Sequence, residues 1–354
     1  MVKKIHRICF LNPHGYVQHP PPLGKTDTGG QIVYVFQLAK ALAKKGIKVD
    51  IFTRQCDNQP IEEYVFDKVK IVRIPCGPKT FIGKEKMYEL MPEMTENIMS
   101  YIEKKRKKYD LIHSHYWDGG YAGILLAKML DIPHVHTPHT LGKAKKFEMD
   151  VEETPVQKLK PYYRYHVRIA IEQKIINKAQ MIIGMCETTR IQILHYYIAD
   201  FEKLQVVYPG VDIDFFSPKK TLADRKVHFA KNSILTMCRI VPAKGLDRLI
   251  DALNLIKKRV DFHLYMGGTL DFDSTASNEE RAARDHLTDL IKKYRLEHQV
   301  TMLGLTNHDS LLPAYYRIAD IFVLPSRYEP FGLTILEAMS CGTLPIVSSV
   351  AGSR

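Results

Sequence analysis

The stretch IADIFVLPSRYEPFGLTILEAMSCGTLPIVSS, Ile318–Ser349, holds a full period of strand, loop, helix and strand, and its reading decides the fold. Ile318 to Ser326 is a short apolar run ending at a proline and a serine, which predicts a buried strand and then a loop. From Gly332 onward Leu333, Leu336 and Met339 recur at helical spacing and Gly342 closes the run, so a helix leaves the C-terminal end of that strand. Glu329 falls in the loop and Glu337 on the helix's early turns. Alone, a glutamate before a helix is commonly a solvated cap, and one within a helix an exposed face residue. In open parallel sheets, however, ligands bind outside the carboxyl ends of strands, where helix N-termini aim N–H groups at anions. The pair therefore marks a candidate phosphate site flanked by two carboxylates.

The same period runs along nearly the whole chain. The strand-like runs HRICFLN, KVDIFT, KVKIVRIP, DLIHSH, PHVHT, QMIIGM and LQVVYPG alternate with helical stretches or loops, and SILTMCRI, FHLYMGG, VTMLGL, IFVLPS and TLPIVSS continue the series. That alternation predicts an α/β protein with mostly parallel, doubly wound sheets. Between the two series lies SPKKTLADRKVHFAKN, Ser217–Asn232, polar and charged with little apolar periodicity, which reads as a linker. The expected organisation is a Rossmann-like domain over residues 1–216, a linker over 217–232 and a second Rossmann-like domain over 233–354, the two facing each other across a cleft.

At 354 residues the chain is long enough for two such domains with filled cores. No apolar run reaches the length of a membrane span, and MVKKIHRICFLNPHG enters a strand without a signal-peptide core, so a cytoplasmic protein with no transmembrane segment is expected. Cys9, Cys56, Cys76, Cys186, Cys238 and Cys341 are scattered without a C-x-x-C pair, as buried thiols in a reducing compartment would be. The formal charge of +12 admits nucleic acid, anionic lipid or a phosphorylated small molecule, and composition does not choose among them. The densest basic run, EKKRKKYD at residues 103–110, ends the amphipathic pattern MYELMPEMTENIMSYIEKK. It reads as the solvated basic end of a helix, with weak peripheral membrane docking as the alternative.

Four further stretches carry chemistry. In LGKTDTGGQIVYVFQLAKALAKKG, Gly29, Gly30 and Gln31 open a helix whose Ile32, Phe36, Ala39 and Ala43 make one apolar face. Paired glycines let a ligand approach the backbone, but a lone GG is more often a tight turn, and the G-x-G-x-x-G spacing of a dinucleotide site is absent. HVHTPHTLGKAKK places three histidines in six residues; two sit at strand spacing with no acidic or thiol ligand nearby, which speaks against a metal, while His139 lies past the strand's end. SILTMCRIVPAKGLDRLIDAL puts Arg239 at a strand's end and Lys244 five residues later at a helix start. Two cations there read either as exposed surface charge or as an anion site. The DFD at Asp271 to Asp273 imitates a D-x-D metal motif but lies in a polar, loop-like stretch.

The string E-P-F-G-L-T-x-x-E-A-M-x-x-G from Glu329 to Gly342 resembles the nucleotide-sugar motif of retaining glycosyltransferases of the two-domain GT-B type, in the large family that includes sucrose-phosphate synthases. D-T-G-G-Q-x-V-Y, T-x-H-T-L-G-x-x-K and FIGKEKMYELMPE resemble segments of sucrose-phosphate and mannosylfructose-phosphate synthases, with Pro138 where the former have glycine and Gly83 where they have proline. The resemblance covers essentially the full chain. It implies a GT-B fold whose C-terminal part is incomplete, since the chain stops at SSVAGSR where the family continues.

It also implies roles. Arg239 and Lys244 would bind the donor diphosphate, with Gly30 and the backbone of Phe331, Gly332 and Leu333; Glu337 would hold the ribose and Glu329 the transferred hexose. Gly29 and Gln31 would meet the acceptor, His139 would lie beside the reacting sugar carbon, and Lys84 and Lys145 would bind acceptor phosphate. Catalytic weight would fall on His139, Arg239, Lys244 and Glu329, without metal or cofactor. The implied activity is a retaining hexosyl transfer from a nucleotide sugar, UDP-glucose favoured, to a sugar phosphate such as fructose 6-phosphate, with no nucleic-acid partner. Two other readings stand beside it: a lipid or polysaccharide acceptor at a membrane surface, and a noncatalytic nucleotide-sugar-binding module.

Overall fold

The structure, a computed structural model, describes residues 4–22, 27–150, 164–268, 278–304, 311–350 and 352. The chain divides into two compact units, the first ending at Tyr208 and the second running on from Pro209 and also taking in Pro22 and the end of the helix that starts at Gly142, from Phe147 on.

The first unit holds β1 (Arg7–Leu11), α1 (Gly30–Lys44), β2 (Lys48–Arg54), β3 (Glu62–Phe66), β4 (Val69–Ile74), α2 (Met91–Lys104), β5 (Leu111–His115), α3 (Tyr116–Leu130), β6 (His134–Thr137), α4 (Gly142–Asp150), α5 (Tyr165–Lys178), β7 (Met181–Gly184), α6 (Glu187–Tyr196) and β8 (Leu204–Val206). Its sheet has the order β3-β4-β2-β1-β5-β6-β7-β8, parallel throughout except for the antiparallel β3. β1 and β5 bury Cys9, Leu11 and Ile112 under α2, whose Met91, Met94, Ile98 and Ile102 recur at helical spacing on its inner face. Each such fully buried side chain stabilises the fold by about 1.5–3 kcal/mol. Exchanging Ile98 for a charged residue would break that packing.

The strand β3 is the element that apolar patterning misses. EEYVF opens with two glutamates and lies at the sheet edge with Tyr64 73% exposed, so it lacks the buried run of a central strand. A turn with Lys68 at φ 62 folds it back on β4, and cross-strand charges secure it: Lys70 to Glu62 at 2.7 Å and Arg73 to Glu63 at 2.6 Å.

The second unit holds β9 (Ser233–Met237), α7 (Leu246–Ile256), β10 (His263–Gly267), α8 (Asn278–Lys293), β11 (Val300–Gly304), α9 (Leu311–Ile318), β12 (Ile321–Leu324), α10 (Leu333–Ser340) and β13 (Leu344–Val347). Its parallel sheet has the order β11-β10-β9-β12-β13, and Leu246, Leu249, Ile250 and Leu253 of α7 pack on one face of it. Strand order reverses at β1 in one unit and at β9 in the other. Loops leaving the strand ends there diverge to opposite sides and open a crevice, which is where α/β sheets place ligands.

The segment Ser217–Asn232 is folded onto the second unit. Thr221 N–H donates to Asp224 at the 3₁₀ turn Leu222–Lys226, and the Arg317 guanidinium of α9 binds Asp224 and the Ser217 carbonyl. None of the six cysteines forms a disulfide. The basic end of α2 is exposed at Lys104, Lys105, Arg106 and Lys108, as a solvated helix terminus would be. No helix among the described residues is long and apolar enough to cross a membrane.

Candidate active site

In the second unit the chemistry gathers at the reversal point. Lys244 ends the 3₁₀ turn Pro242–Lys244 after β9, and Gly245 at φ 63 turns the chain into α7. A Cβ on Gly245 would strike the Pro325 carbonyl, so that turn needs glycine for conformation and for space. From the neighbouring β12 comes the loop carrying Glu329. The two loops are bolted together: Arg327 and Tyr328 N–H donate to the Ala243 carbonyl at 2.9 and 3.2 Å, and Arg327 grips Asp247 through two bonds of 2.6 and 2.7 Å.

That clamp lets Lys244 Nζ donate to Glu329 Oε2 at 2.6 Å, with Ser326 Oγ donating to the same oxygen at 3.3 Å. Arg239 is half-exposed, with Glu280 Oε1 3.9 Å from its guanidinium. Burial pushes the neighbouring Cys238 thiol up to about 11, with Lys244, Glu329 and Arg239 among the charges acting on it. Phe331, Gly332 and Leu333 form the entrance to α10, where Gly332 at φ 88 is the N-cap and no side chain caps the helix. Its first-turn N–H groups are thus backbone donors of the kind that bind anions.

Glu337 is on α10 but has a different neighbourhood. It is buried, its Oε2 accepts from the Tyr316 hydroxyl at 2.8 Å, and burial raises its carboxyl to about 7 against that hydrogen bond. Because the folded value lies above the ordinary 4.5, the stabilising protonated form is fully populated below pH 4.5 and is lost as pH rises through about 7. Glu337→Gln is therefore expected to raise stability at about pH 8 by on the order of 1–3 kcal/mol and to change it little at about pH 4. Thermal unfolding of both proteins across that range checks it; equal gains at the two ends would contradict it.

In the first unit, α1 starts at Gly30 after an extended Gly29, again without a side-chain cap, and Gln31 Nε2 donates to Asn12 Oδ1 at 2.7 Å. Lys84 is held twice by the buried Asp27, through its ammonium and through its backbone N–H at 3.0 Å. Burial alone would raise the Asp27 carboxyl, but the Lys84 charge and hydrogen bonds, with His14, carry it down to about 2. Lys145 is half-buried on α4, whose first N–H, that of Gly142, donates to Glu172 at 3.0 Å.

His139 occupies a tight turn, with Thr140 N–H donating to the Pro138 carbonyl at 2.6 Å across a left-handed φ of 57. Such a backbone costs on the order of 1–3 kcal/mol and is typical of functional positions. Its Nε2 faces His115 Nδ1 at 3.1 Å and its ring meets Tyr34 edge-on. Burial, helped by His113 and His14, takes the imidazole down to about 3, so His139 is a neutral hydrogen-bonding group. His134 and His136 point elsewhere, sharing Ser114 Oγ at 2.6 and 2.8 Å. Among the described residues no group of three or more His, Cys, Asp or Glu is arranged to hold a metal ion, and Asp271 and Asp273 lie outside them.

Three residues of this region escape sequence reasoning. His14, at the mouth of β1, is bonded through Nδ1 to the fully buried Asp118 at 2.8 Å and acts on both Asp27 and His139. Asp27 fixes Lys84, and Glu85 lies where both Lys84 and Lys145 act on it. The N-P-H-G string directly after the first strand is the available signal for His14, while Asp27 and Glu85 stand inside the matched strings D-T-G-G-Q-x-V-Y and FIGKEKMYELMPE without a role being read for either.

The profile of Glycosyltransferase Family 4 matches residues 28–215, and that of Glycosyl transferases group 1 matches residues 220–354. The chain belongs to glycosyltransferase family 4. This family member is 37% identical to a mannosylfructose-phosphate synthase of Agrobacterium fabrum over 98% of its own length and 77% of the relative's. It is 32% identical to a D-inositol 3-phosphate glycosyltransferase of Pseudarthrobacter chlorophenolicus, over 98% and 80%. Among solved structures it is similar to the sucrose-phosphate synthase from Thermosynechococcus elongatus, with a TM-score of 0.85 and 29% identity over 99% of this chain and 82% of that one. The glycosyltransferase thus has the GT-B fold, two Rossmann-like α/β domains, and is similar to sucrose-phosphate and mannosylfructose-phosphate synthases.

Proposed function

We propose that this glycosyltransferase moves a hexosyl group from a nucleotide sugar, UDP-glucose by preference, to a sugar phosphate such as fructose 6-phosphate, with retention of anomeric configuration. The observation that supports the acceptor reading is that Lys84 and Lys145, from separate segments of one unit, both act electrostatically on the same buried carboxylate, Glu85. Two ammonium groups brought to one phosphate dianion would share it. Lys84 spends part of its donor capacity on Asp27, yet an ammonium has three donors. An inositol phosphate, which appears in the names of several relatives, would use the same clamp and is the competing acceptor to be assayed.

On the donor side, breaking the sugar–phosphate bond builds negative charge on the leaving diphosphate. Arg239, Lys244 and the uncapped start of α10 are fixed positive ends suited to stabilise it. In the proposed front-face displacement the acceptor hydroxyl attacks the anomeric carbon, and its proton passes to the departing phosphate oxygen. Glu329 and Glu337 then serve as hydrogen-bond acceptors for hexose and ribose hydroxyls. Because side-chain cations take the charge-neutralising role, activity is expected to persist in excess EDTA. Complete loss, restored by Mg²⁺ or Mn²⁺, would contradict this and return attention to Asp271 and Asp273.

The function is tested by turnover with UDP-glucose and fructose 6-phosphate, D-inositol 3-phosphate or free fructose. Fructose 6-phosphate is expected to be used about a hundredfold better in kcat/KM than fructose. Equal use of the two would refute the sugar-phosphate reading.

A further inference from the structure

Glu85 follows Lys84 in the loop leading into the 3₁₀ turn Met87–Leu90. Its side chain is 1% exposed, and neither carboxylate oxygen has a hydrogen-bond partner. Other buried carboxylates of the unit are satisfied. Glu172 is bonded by Arg168, Tyr197 and the Gly142 N–H, Asp118 by His14 and the Gly119 N–H, and Asp50 by Arg7 and Tyr109. A buried carboxylate without donors is costly, and native folds rarely keep one without a use.

The charges that act on Glu85 are Lys84, Arg168 and Lys145 on the cationic side and Asp27 on the anionic side. Arg168 is committed to Glu172, Tyr116 and Thr140, and Lys84 turns to Asp27. Burial pushes the Glu85 carboxyl up even beside these cations. The carboxylate is therefore acted on by both lysines assigned to acceptor phosphate while bonded to neither.

We propose that Glu85 reads the acceptor's hydroxyls, each carboxylate oxygen accepting one hydroxyl of the sugar whose phosphate Lys84 and Lys145 hold. The assignment rests on the sugar-phosphate reading of the same site. A carboxylate accepts and does not donate, so it matches a polyol and repels a second phosphate. The lysines would thus select one anionic group, and Glu85 would select the hydroxyls beside it.

The test is calorimetric titration of the full chain and of Glu85→Ala and Glu85→Gln with fructose 6-phosphate and with inorganic phosphate. Glu85→Ala is expected to weaken fructose 6-phosphate binding by about ten- to a hundredfold and to leave inorganic phosphate bound at least as tightly, since a like charge beside the clamp is gone. Glu85→Gln, which keeps one accepting oxygen, should recover part of the loss. A merely structural glutamate would weaken both ligands together or neither. Unchanged fructose 6-phosphate affinity in folded Glu85→Ala, or parallel loss of inorganic phosphate, overturns the assignment of Glu85 alone. An unmutated protein that does not bind fructose 6-phosphate overturns the sugar-phosphate reading and this assignment with it.

Discussion

Lys244→Ala is expected to lower kcat by about a hundredfold or more, the scale of one lost electrostatic stabiliser of developing charge. The same change strips Glu329, 7% exposed at its side chain, of its 2.6 Å partner and leaves it, among the described residues, the Ser326 hydroxyl. An orphaned buried charge should cost roughly 1–3 kcal/mol of stability, less than a fully buried pair because Lys244 is partly exposed. Lys244→Ala/Glu329→Gln separates the two effects: it should regain most of the stability and none of the turnover. Arg239→Ala provides the cleaner rate comparison, since Arg239 is 41% exposed and only 3.9 Å from Glu280. It too should reduce kcat by about a hundredfold, with the fold intact. Stopped-time product assays alongside thermal unfolding check both. Normal turnover in a folded Arg239→Ala/Lys244→Ala protein would remove these cations from the mechanism.

The second large effect concerns the acceptor. Lys84→Ala/Lys145→Ala should erase most of the preference for fructose 6-phosphate over fructose while UDP binding stays nearly unchanged. Hydrogen bonds to a charged partner are each worth about 1.5–3 kcal/mol, so two lost ammonium groups account for a hundredfold or more. Asp27 sharpens the test. With Lys84 removed, its carboxyl loses the interaction that holds it near 2, and burial should carry it upward. Lys84→Ala alone should therefore be destabilised chiefly above about pH 5, where that carboxylate was charged and paired. Lys145→Ala should show no comparable pH-dependent loss. A double variant that still prefers the phosphorylated sugar would contradict the clamp.

The sequence is informative where physics is local. Buried parallel strands such as CFL in β1 or FVL in β12 advertise themselves as short apolar runs, and Gly332 and Gly342 bracket α10 because left-handed backbone is glycine's territory. β3 escaped because its stability comes from cross-strand charges at an edge rather than from an apolar run. The candidate site was legible as residue types and not as bonds. Glu329 and Glu337, eight positions apart, look like one pair in sequence, yet one is tied to Lys244 and the other to Tyr316. The Lys244 contact spans 85 residues and the His14–Asp118 bond 104, distances over which no periodicity carries information. Glu85 is the extreme case, since its distinguishing feature is the absence of a hydrogen bond, which only the packed structure reveals.

The central claim is hexosyl transfer from a nucleotide sugar to a sugar phosphate. It is tested most directly by incubating the protein with a matrix of nucleotide-hexose donors and phosphorylated or free acceptors, reading product masses, and assigning the new anomeric centre by NMR. The account predicts a product of one hexose joined to fructose 6-phosphate, formed from UDP-glucose with the anomeric configuration retained. Release of free hexose alone, or a product of inverted configuration, would contradict it.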